Sequence, residues 1–408
     1  MDWNTAQRIL CVRLDSLGDV LMTTPAMAAI KASRPGCHLT LMTSAAGAAI
    51  APQLPMVDEV WVYDAPWLKA TAPRETSQPE HDMLAELRRR RFDAAIIFTV
   101  YSQNPLPTAT MAYLADIPLR LAHCRENPYQ LLTDHIPEPE PELSRHEVQR
   151  QLDLVASVGY TNPDSRLRLT VPTLAQQRIT TLLGELGLSP QPTKTPRPAR
   201  DPVGAQHAVP LPIGGMQETN SDQPWIVIHP GASAPSRRYP PELFAQVARS
   251  LVQSGLTVLF TGTPPERDLV ESIRDQMDAP SYSLVGLLDL KDLSALLAAA
   301  PLLLSNNTGP VHIAAAVGTP VVDLYALTNL QHTPWQVPHQ VLFHDVPCRL
   351  CYKSICPEGH HACLRQVEPQ AVVAAVLELL FMEQFKLEHQ AIVAKNPLAK
   401  NPVYSSLI

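Results

Sequence analysis

The segment Ser305-Asn306-Asn307-Thr308-Gly309-Pro310-Val311-His312 follows a short apolar run and opens a helical one. The free N–H groups and the dipole of a helix N-terminus attract an anion. Thr308 adds a hydroxyl, Gly309 lets a ligand approach the backbone, and His312 faces the same end one turn later. A phosphate or diphosphate suits such a place, although an ordinary N-cap by Asn307 or Thr308 would use the same residues. A second loop, His229-Pro230-Gly231-Ala232-Ser233 then Ser236-Arg237-Arg238-Tyr239-Pro240, also joins a strand to a helix. Arg237 or Arg238 could neutralise a diphosphate through forked hydrogen bonds, the alternative being a solvated basic loop. The two loops hold equivalent positions in one α/β unit, which favours a shared ligand. The third segment is Arg13-Leu14-Asp15-Ser16-Leu17-Gly18-Asp19-Val20. Asp19, at a strand-to-helix turn, could accept a proton from an attacking hydroxyl, or could simply be an N-terminal carboxylate stabilised by the helix dipole.

Other chemistries lack their residues. The sequence contains no Gly-x-Gly-x-x-Gly, no Gly-x-x-x-x-Gly-Lys-Ser/Thr and no Gly-x-Ser-x-Gly. It also has no Asp-x-Asp, the common clamp for a metal-bound sugar diphosphate.

The elements that must position these segments alternate. Arg8 to Leu14 reads as a buried parallel strand, and Val20 to Ser33 as a helix with Pro25 near its start. Strands are expected at His38 to Met42, Glu59 to Tyr63 and Phe92 to Val100, with Arg88 to Arg91 closing a helix. The pattern stops at Leu188 to Pro224, which is rich in Pro, Gly, Gln, Thr and Ser and reads as a flexible linker or insertion. It restarts with strands at Trp225 to His229, Leu256 to Thr261, Leu302 to Ser305 and Pro320 to Tyr325. Helices are expected at Pro241 to Ser254, Asp289 to Ala300, Gly309 to Val317 and Ala371 to Phe385. Alternation of this kind implies parallel α/β sheets. The organisation is thus an N-terminal domain (1–187), a Pro-rich linker (188–224), a C-terminal domain (225–385) and a tail (386–408) that reads as frayed. Two such halves face a cleft, a frequent place for ligands.

Composition agrees. A chain of 408 residues exceeds the roughly 100–200 of one domain. With 45% hydrophobic and 17% charged residues, each half can bury a core. The 41 prolines are about twice the usual ~5%, and much of the excess falls in linkers. The net charge of −7 disfavours nucleic acid as the main partner. The start, Met1-Asp2-Trp3-Asn4, lacks signal-peptide character, and no apolar run reaches membrane-span length, so a cytoplasmic location is expected.

Taken together, Arg-Leu-Asp-x-Leu-Gly-Asp-Val with Thr24-Pro25, His-Pro-Gly-Ala leading to Arg-Tyr-Pro, and Thr-Gly-Pro-x-His-Ile-Ala-Ala-Ala resemble glycosyltransferase family 9. This is the ADP-heptose:lipopolysaccharide heptosyltransferase group, and the resemblance runs from about Arg8 to about Leu380. It implies a GT-B fold, with two Rossmann-like domains and the active site between them: an N-terminal acceptor-binding domain and a C-terminal nucleotide-sugar-binding domain. It implies an inverting, metal-independent transfer with no cofactor, of a sugar such as heptose from ADP-heptose, to a lipopolysaccharide-core, other glycan or lipid-linked acceptor. By the same resemblance Asp19 is the general base, Arg237 lies on the donor diphosphate, and Thr308, Gly309 and His312 form the donor-phosphate loop. Glu266 resembles the nucleoside contact, by the loosest of the matches. Asn307 departs from the family, where many members carry Asp, so a charge role there is lost. That departure keeps open a non-catalytic nucleotide-sugar-binding protein, beside a GT-B-type sugar-nucleotide epimerase. A lipid-linked acceptor would bring peripheral contact with the inner membrane, which Arg88 to Arg91 could aid, although such a run is usually a solvated face.

Cys348-x-x-Cys351, Cys356, His360, His361 and Cys363 have spacing that allows a tetrahedral structural metal site. The alternative is a reduced thiol cluster, and no metal is assigned to the function.

Overall fold

The computed structural model describes residues 2–68, 71–138, 145–190 and 224–381. Strand β1 (Arg8–Arg13) is buried from its second residue onward, because Ile9-Leu10-Cys11-Val12 is apolar without alternation. Such a run must be covered on both faces, as in a parallel sheet. It pairs in parallel with β2 (His38–Thr43) on one side and β4 (Ala94–Ile97) on the other. Adding β3 (Glu59–Val62), β5 (Leu119–Cys124) and β6 (Asp134–Pro137) gives the order β3-β2-β1-β4-β5-β6.

The second sheet repeats the pattern with β7 (Trp225–His229), β8 (Thr257–Phe260), β9 (Tyr282–Ser283), β10 (Leu303–Asn306), β11 (Val321–Leu324) and β12 (His339–Leu342). Its order is β9-β8-β7-β10-β11-β12, all parallel. Each sheet reverses its winding beside its first strand, between β1 and β4 and between β7 and β10. Doubly wound sheets bind ligands beyond the strand ends at that switch point. All three sequence-selected segments begin at these strand ends and run on beyond them: 13–20 from β1, 229–240 from β7 and 305–312 from β10. The expected fold class, two α/β halves of the GT-B kind, is observed.

Several expected boundaries move. The helix expected at Val20 spans Leu17–Ser33, so Pro25 lies mid-helix. Proline removes the bond to the carbonyl four residues earlier, that of Leu21. The Thr24 hydroxyl donates to that carbonyl at 2.6 Å and replaces it. The strand expected at Phe92 to Val100 shrinks to Ala94–Ile97. Strands β5, β6, β9 and β12 were not anticipated. The Pro-rich segment falls outside the described residues over 191–223, as does the tail 386–408. The last helix is described over 369–381.

Packing joins the halves. One cluster of buried side chains holds Ile9 and Leu21 of the first sheet's layer together with Leu296, Val311 and Val321 of the second's. Helix Thr173–Glu185 contacts helix Leu290–Ala299, and helix Leu17–Ser33 contacts helix Gly309–Val317. Arg178 pairs with Asp292 through its Nε at 2.9 Å and through a second guanidinium nitrogen.

Candidate active site

Helices Leu17–Ser33 and Gly309–Val317 bring their N-termini together across the cleft. A Cβ at Gly18 would stand 2.5 Å from Cδ2 of His312, and one at Gly309 would stand 3.3 Å from Cδ2 of Leu17. Two glycines therefore permit a close approach that any larger residue would resist.

Asp19 sits at this junction. Its Oδ1 lies 3.2 Å from Arg13, and its Oδ2 accepts the Ser16 hydroxyl at 2.7 Å and the Ser16 amide at 3.2 Å. Burial would push its pKa up, but Arg13 and then His332 hold the carboxyl at about 2. Asp15, 2.9 Å from the Arg13 Nε, goes the other way: burial overcomes the pull of Arg13 and raises it to about 6. Arg13 itself is fully buried at the tip of β1. Besides these two acids it bonds the buried Glu147 at 2.8 Å. Burial alone would lower its pKa, yet Asp15, Glu147 and Asp19 raise it. One guanidinium thus fixes three carboxylates.

In the opposing half, Asn306 ties the loops after β7 and β10 together. Its Oδ1 accepts the Tyr239 amide at 2.9 Å and its Nδ2 donates to the Pro230 carbonyl at 2.7 Å. Arg237 ends the short turn Pro235–Arg237 and forms no ion pair among the described residues. Its charge reaches His312, His332, Asp323 and Tyr325. Arg238 instead donates to the Ala232 carbonyl of its own loop at 2.7 Å and is otherwise exposed. The geometry therefore separates the two arginines that the sequence left as alternatives.

The N-terminus of helix Gly309–Val317 carries no side-chain cap. Thr308 makes no capping bond. The Asn307 amide is engaged elsewhere, donating to Asp323 at 2.9 Å and to the His332 carbonyl at 2.9 Å. Burial raises the Asp323 carboxyl to about 8, against the opposing effects of Asn307 and Arg237. His312 is pushed down to about 3, by burial first and His332 next, so the ring is neutral at neutral pH.

Glu266 receives the amide and hydroxyl of Thr263 at 2.7 and 2.8 Å, closing the turn after β8. Its carboxylate lies over Gly231, where a Cβ would be 1.9 Å from Oε1. The structure thus gathers Arg237, Asn307, Thr308, Gly309, His312 and Glu266 around the β7 and β10 loops and sets Asp19 across from them.

The cysteine segment stands behind this site. Ser236, beside Arg237, donates its amide to the Ser354 carbonyl at 3.0 Å and its hydroxyl to the Lys353 carbonyl at 2.8 Å. Cys348, Cys351, Cys356 and Cys363 are free thiols of intermediate burial. Cys348 Sγ lies 3.7 Å from His360 Nε2. Burial and the neighbouring thiols Cys356, Cys348 and Cys351 push up the Cys363 thiol. Among the described residues, no group of three or more His, Cys, Asp or Glu side chains is arranged to hold a metal.

Sequence reasoning gave no role to Arg13, Glu147, Asp323 or His332. An arginine closing an apolar strand was the available sign for Arg13, since a charge there needs buried partners. Glu147 lies on helix Glu147–Ala156, which the sequence analysis did not identify.

Residues 81–362 match glycosyltransferase family 9 (heptosyltransferase). The chain belongs to this family. It is 29% identical over 159 residues to lipooligosaccharide heptosyltransferase 2 of Campylobacter jejuni, a match covering 38% of this chain and half the length of that relative. To lipopolysaccharide heptosyltransferase 2 of Escherichia coli K12 it is 23% identical over 389 residues, covering 92% of this chain and 99% of that one. The solved structure of E. coli ADP-heptose lipopolysaccharide heptosyltransferase II superposes with a TM-score of 0.64 at 21% identity, covering 93% and 100% of the two chains. At that identity the likeness shows the fold.

Proposed function

We propose that this family 9 chain is an inverting, metal-independent glycosyltransferase that moves heptose from ADP-heptose to a lipopolysaccharide-core or related lipid-linked glycan. The observation that carries the reading is the placement of Asp19. The Asp19 carboxylate of one half stands at the close approach of Gly18 to His312, and its charge and that of Arg237 both reach His312 in the first turn of the uncapped helix of the other half. An inverting transfer needs one base on the face opposite the leaving group. Asp19 takes the acceptor hydroxyl proton as the hydroxyl oxygen attacks the anomeric carbon. The bond to the diphosphate breaks and leaves its electron pair on the departing phosphate. Arg237, the amides at Thr308 and Gly309, and the helix dipole stabilise that charge, the work a metal ion does in other enzymes. Glu266 contacts the nucleoside, and Asn307 braces the loop through Asp323. The names of the relatives supply the donor and acceptor classes.

Domain roles follow the same proposal: acceptor on 1–187, donor on 225–385, in the cytoplasm. Among the described residues no helix is long and apolar enough to cross a membrane. Peripheral contact with the membrane would come through the acceptor. Arg88, Arg89 and Arg90 already face Asp116 at 3.6 Å, Glu86 at 2.6 Å and Glu59 at 2.6 Å.

The test is transfer by the purified chain from ADP-heptose, with UDP-, GDP- and dTDP-sugars as competitors and EDTA present. ADP release that depends on acceptor supports the reading. Asp19→Asn should lower kcat by about 10²–10⁴ while donor binding persists. Binding of no nucleotide sugar, or unchanged turnover in the variant, would sink it.

A further inference from the structure

Arg13 closes β1 as a fully buried cation, and each of its guanidinium nitrogens faces a different acid. Nε lies 2.9 Å from Asp15, Nη2 lies 3.2 Å from Asp19, and Nη1 donates to Glu147 Oε1 at 2.8 Å. Asp15 and Asp19 belong to the turn and the helix start that follow Arg13 directly. Glu147 comes from 134 residues away. A planar guanidinium bound only to its own turn can swivel with that turn. A further bond from a separate helix fixes its plane.

The Glu147 carboxylate is itself held. It is fully buried, and its Oε1 also accepts Gln151 Nε2 at 2.7 Å, one helical turn on. That Nε2 donates as well to the Thr99 carbonyl at 2.9 Å, just beyond β4. Glu147 Oε2 lies 3.5 Å from Arg150. Burial would raise the Glu147 carboxyl, but Arg13 and then Arg150 hold it below its usual range, so it stays charged. The helix it opens, Glu147–Ala156, packs along Leu17–Ser33, the helix that carries Asp19.

The backbone of the same residue is bound to the other half. The Glu147 amide donates to the Gln331 carbonyl at 2.9 Å, and Gln331 Nε2 donates to the Arg145 carbonyl at 3.1 Å. Beside it, His146 Nε2 lies 2.9 Å from the Thr333 carbonyl. Gln331 and Thr333 lie between β11 and β12 of the donor half. Glu147 thus meets the donor half through its amide and Arg13 through its side chain.

We infer that Glu147 is a positioning residue for the transfer: through the Arg13 guanidinium it fixes where Asp19 Oδ1 points, and through Gln331 it ties that direction to the half that holds the donor. The inference rests on the transfer reading above. Without the Glu147 charge, Arg13 is shared by Asp15 and Asp19 alone and turns toward them. Asp19 then meets the acceptor hydroxyl at the wrong angle, and a misplacement of about 1 Å can cost about 10²-fold in rate.

The test is a double-mutant cycle on the full chain. Transfer from ADP-heptose to a lipopolysaccharide-core acceptor is measured, with donor binding by calorimetry beside it. Glu147→Gln keeps the side chain's size and an oxygen for Nη1 but removes the charge. It should lower kcat by about 10- to 100-fold with donor Kd within about twofold. Made in Asp19→Asn, the same change should cost less than about threefold, because a residue that acts through Asp19 has nothing left to place. A merely structural role would cost the same in both backgrounds. Gln151→Met removes one donor to the Glu147 carboxylate and leaves the Arg13 pair. It should lower kcat by about 2- to 10-fold, lose that effect in Asp19→Asn, and carry the cycle where Glu147→Gln does not fold. When the parent chain transfers, equal costs in the two backgrounds or an unchanged kcat overturn the inference alone. No transfer by the parent chain overturns the function proposed above, and the inference with it.

Discussion

Gly18 is small because the ring of His312 takes the place of its side chain, with only 2.5 Å to a Cβ built there. In an isolated helix, alanine would be favoured over glycine by about 1 kcal/mol. At this position overpacking costs about 1–3 kcal/mol and must move either the ring or the helix. Gly18→Ala should therefore lower kcat/KM by about tenfold or more and give no gain in Tm, which steady-state kinetics and a thermal melt would measure. Asp323 supports a pH prediction. Its folded pKa of about 8 exceeds the ~3.9 of an unfolded aspartate, so the native chain keeps a proton that the unfolded chain releases. The stabilisation is complete below the unfolded value and is lost as pH rises toward 8. Asp323→Asn keeps an acceptor for Asn307 and removes the titration. Denaturant melts at pH 5 and pH 8 should show the parent chain losing a few kcal/mol, on the order of 1.4 per pH unit, more than the variant loses. Equal losses would place the proton elsewhere.

At the scale of elements, the site depends on loops held to each other more than on any one loop. Asn306 closes β10 and ties the Pro230 and Tyr239 backbones together. Asn306→Ala leaves a buried amide and a buried carbonyl unpaired, at about 1–3 kcal/mol each. The variant should lose about 2–5 kcal/mol of stability and bind donor at least tenfold more weakly, by calorimetry, because the Arg237 turn loses its anchor. These loops also show what the sequence could convey. The strands β1, β7 and β10 were legible as unbroken apolar runs, and each motif follows one of them. β6, with half its residues exposed, and β9, two residues long, have no such pattern. The helix over Gly309–Val317 matched its expected bounds, because Thr308-Gly309-Pro310 marks its start and Gly318 its left-handed end. The family motifs therefore named Asp19, Arg237 and His312. Arg13 acts on Asp19 from within the same motif, but His332, which acts on both Asp19 and His312, and Glu147, which acts on Arg13 and His332, come from distant stretches, and only folding reveals their proximity.

At the scale of the whole molecule, the two sheets are separate but their packing is shared. Helix Thr173–Glu185 belongs to the N-terminal side in sequence, yet Ile179, Leu182 and Leu183 enter the same buried cluster as Ala295, Leu296 and Leu297. The Trp225 indole, at the first residue of the second sheet, donates to the Ser189 carbonyl at 2.8 Å. Trp335 reaches back to the Ser165 carbonyl at 2.8 Å and stacks on His146 with centroids 4.4 Å apart. These contacts all lie outside 191–223, so covalent continuity through that segment is not what joins the halves. A protease site placed within 191–223 and cut should then leave a complex that elutes as one species and retains donor binding. Its Tm should become concentration-dependent, because joining the pieces turns from an intramolecular step into a bimolecular one. Trp335→Ala in the cut protein removes the stack and its hydrogen bond, so it should weaken reassociation by at least tenfold while leaving each sheet's own strands untouched. Separation of the two cut pieces on the column, with Trp335 intact, would mean that the segment and not the shared core holds the molecule together.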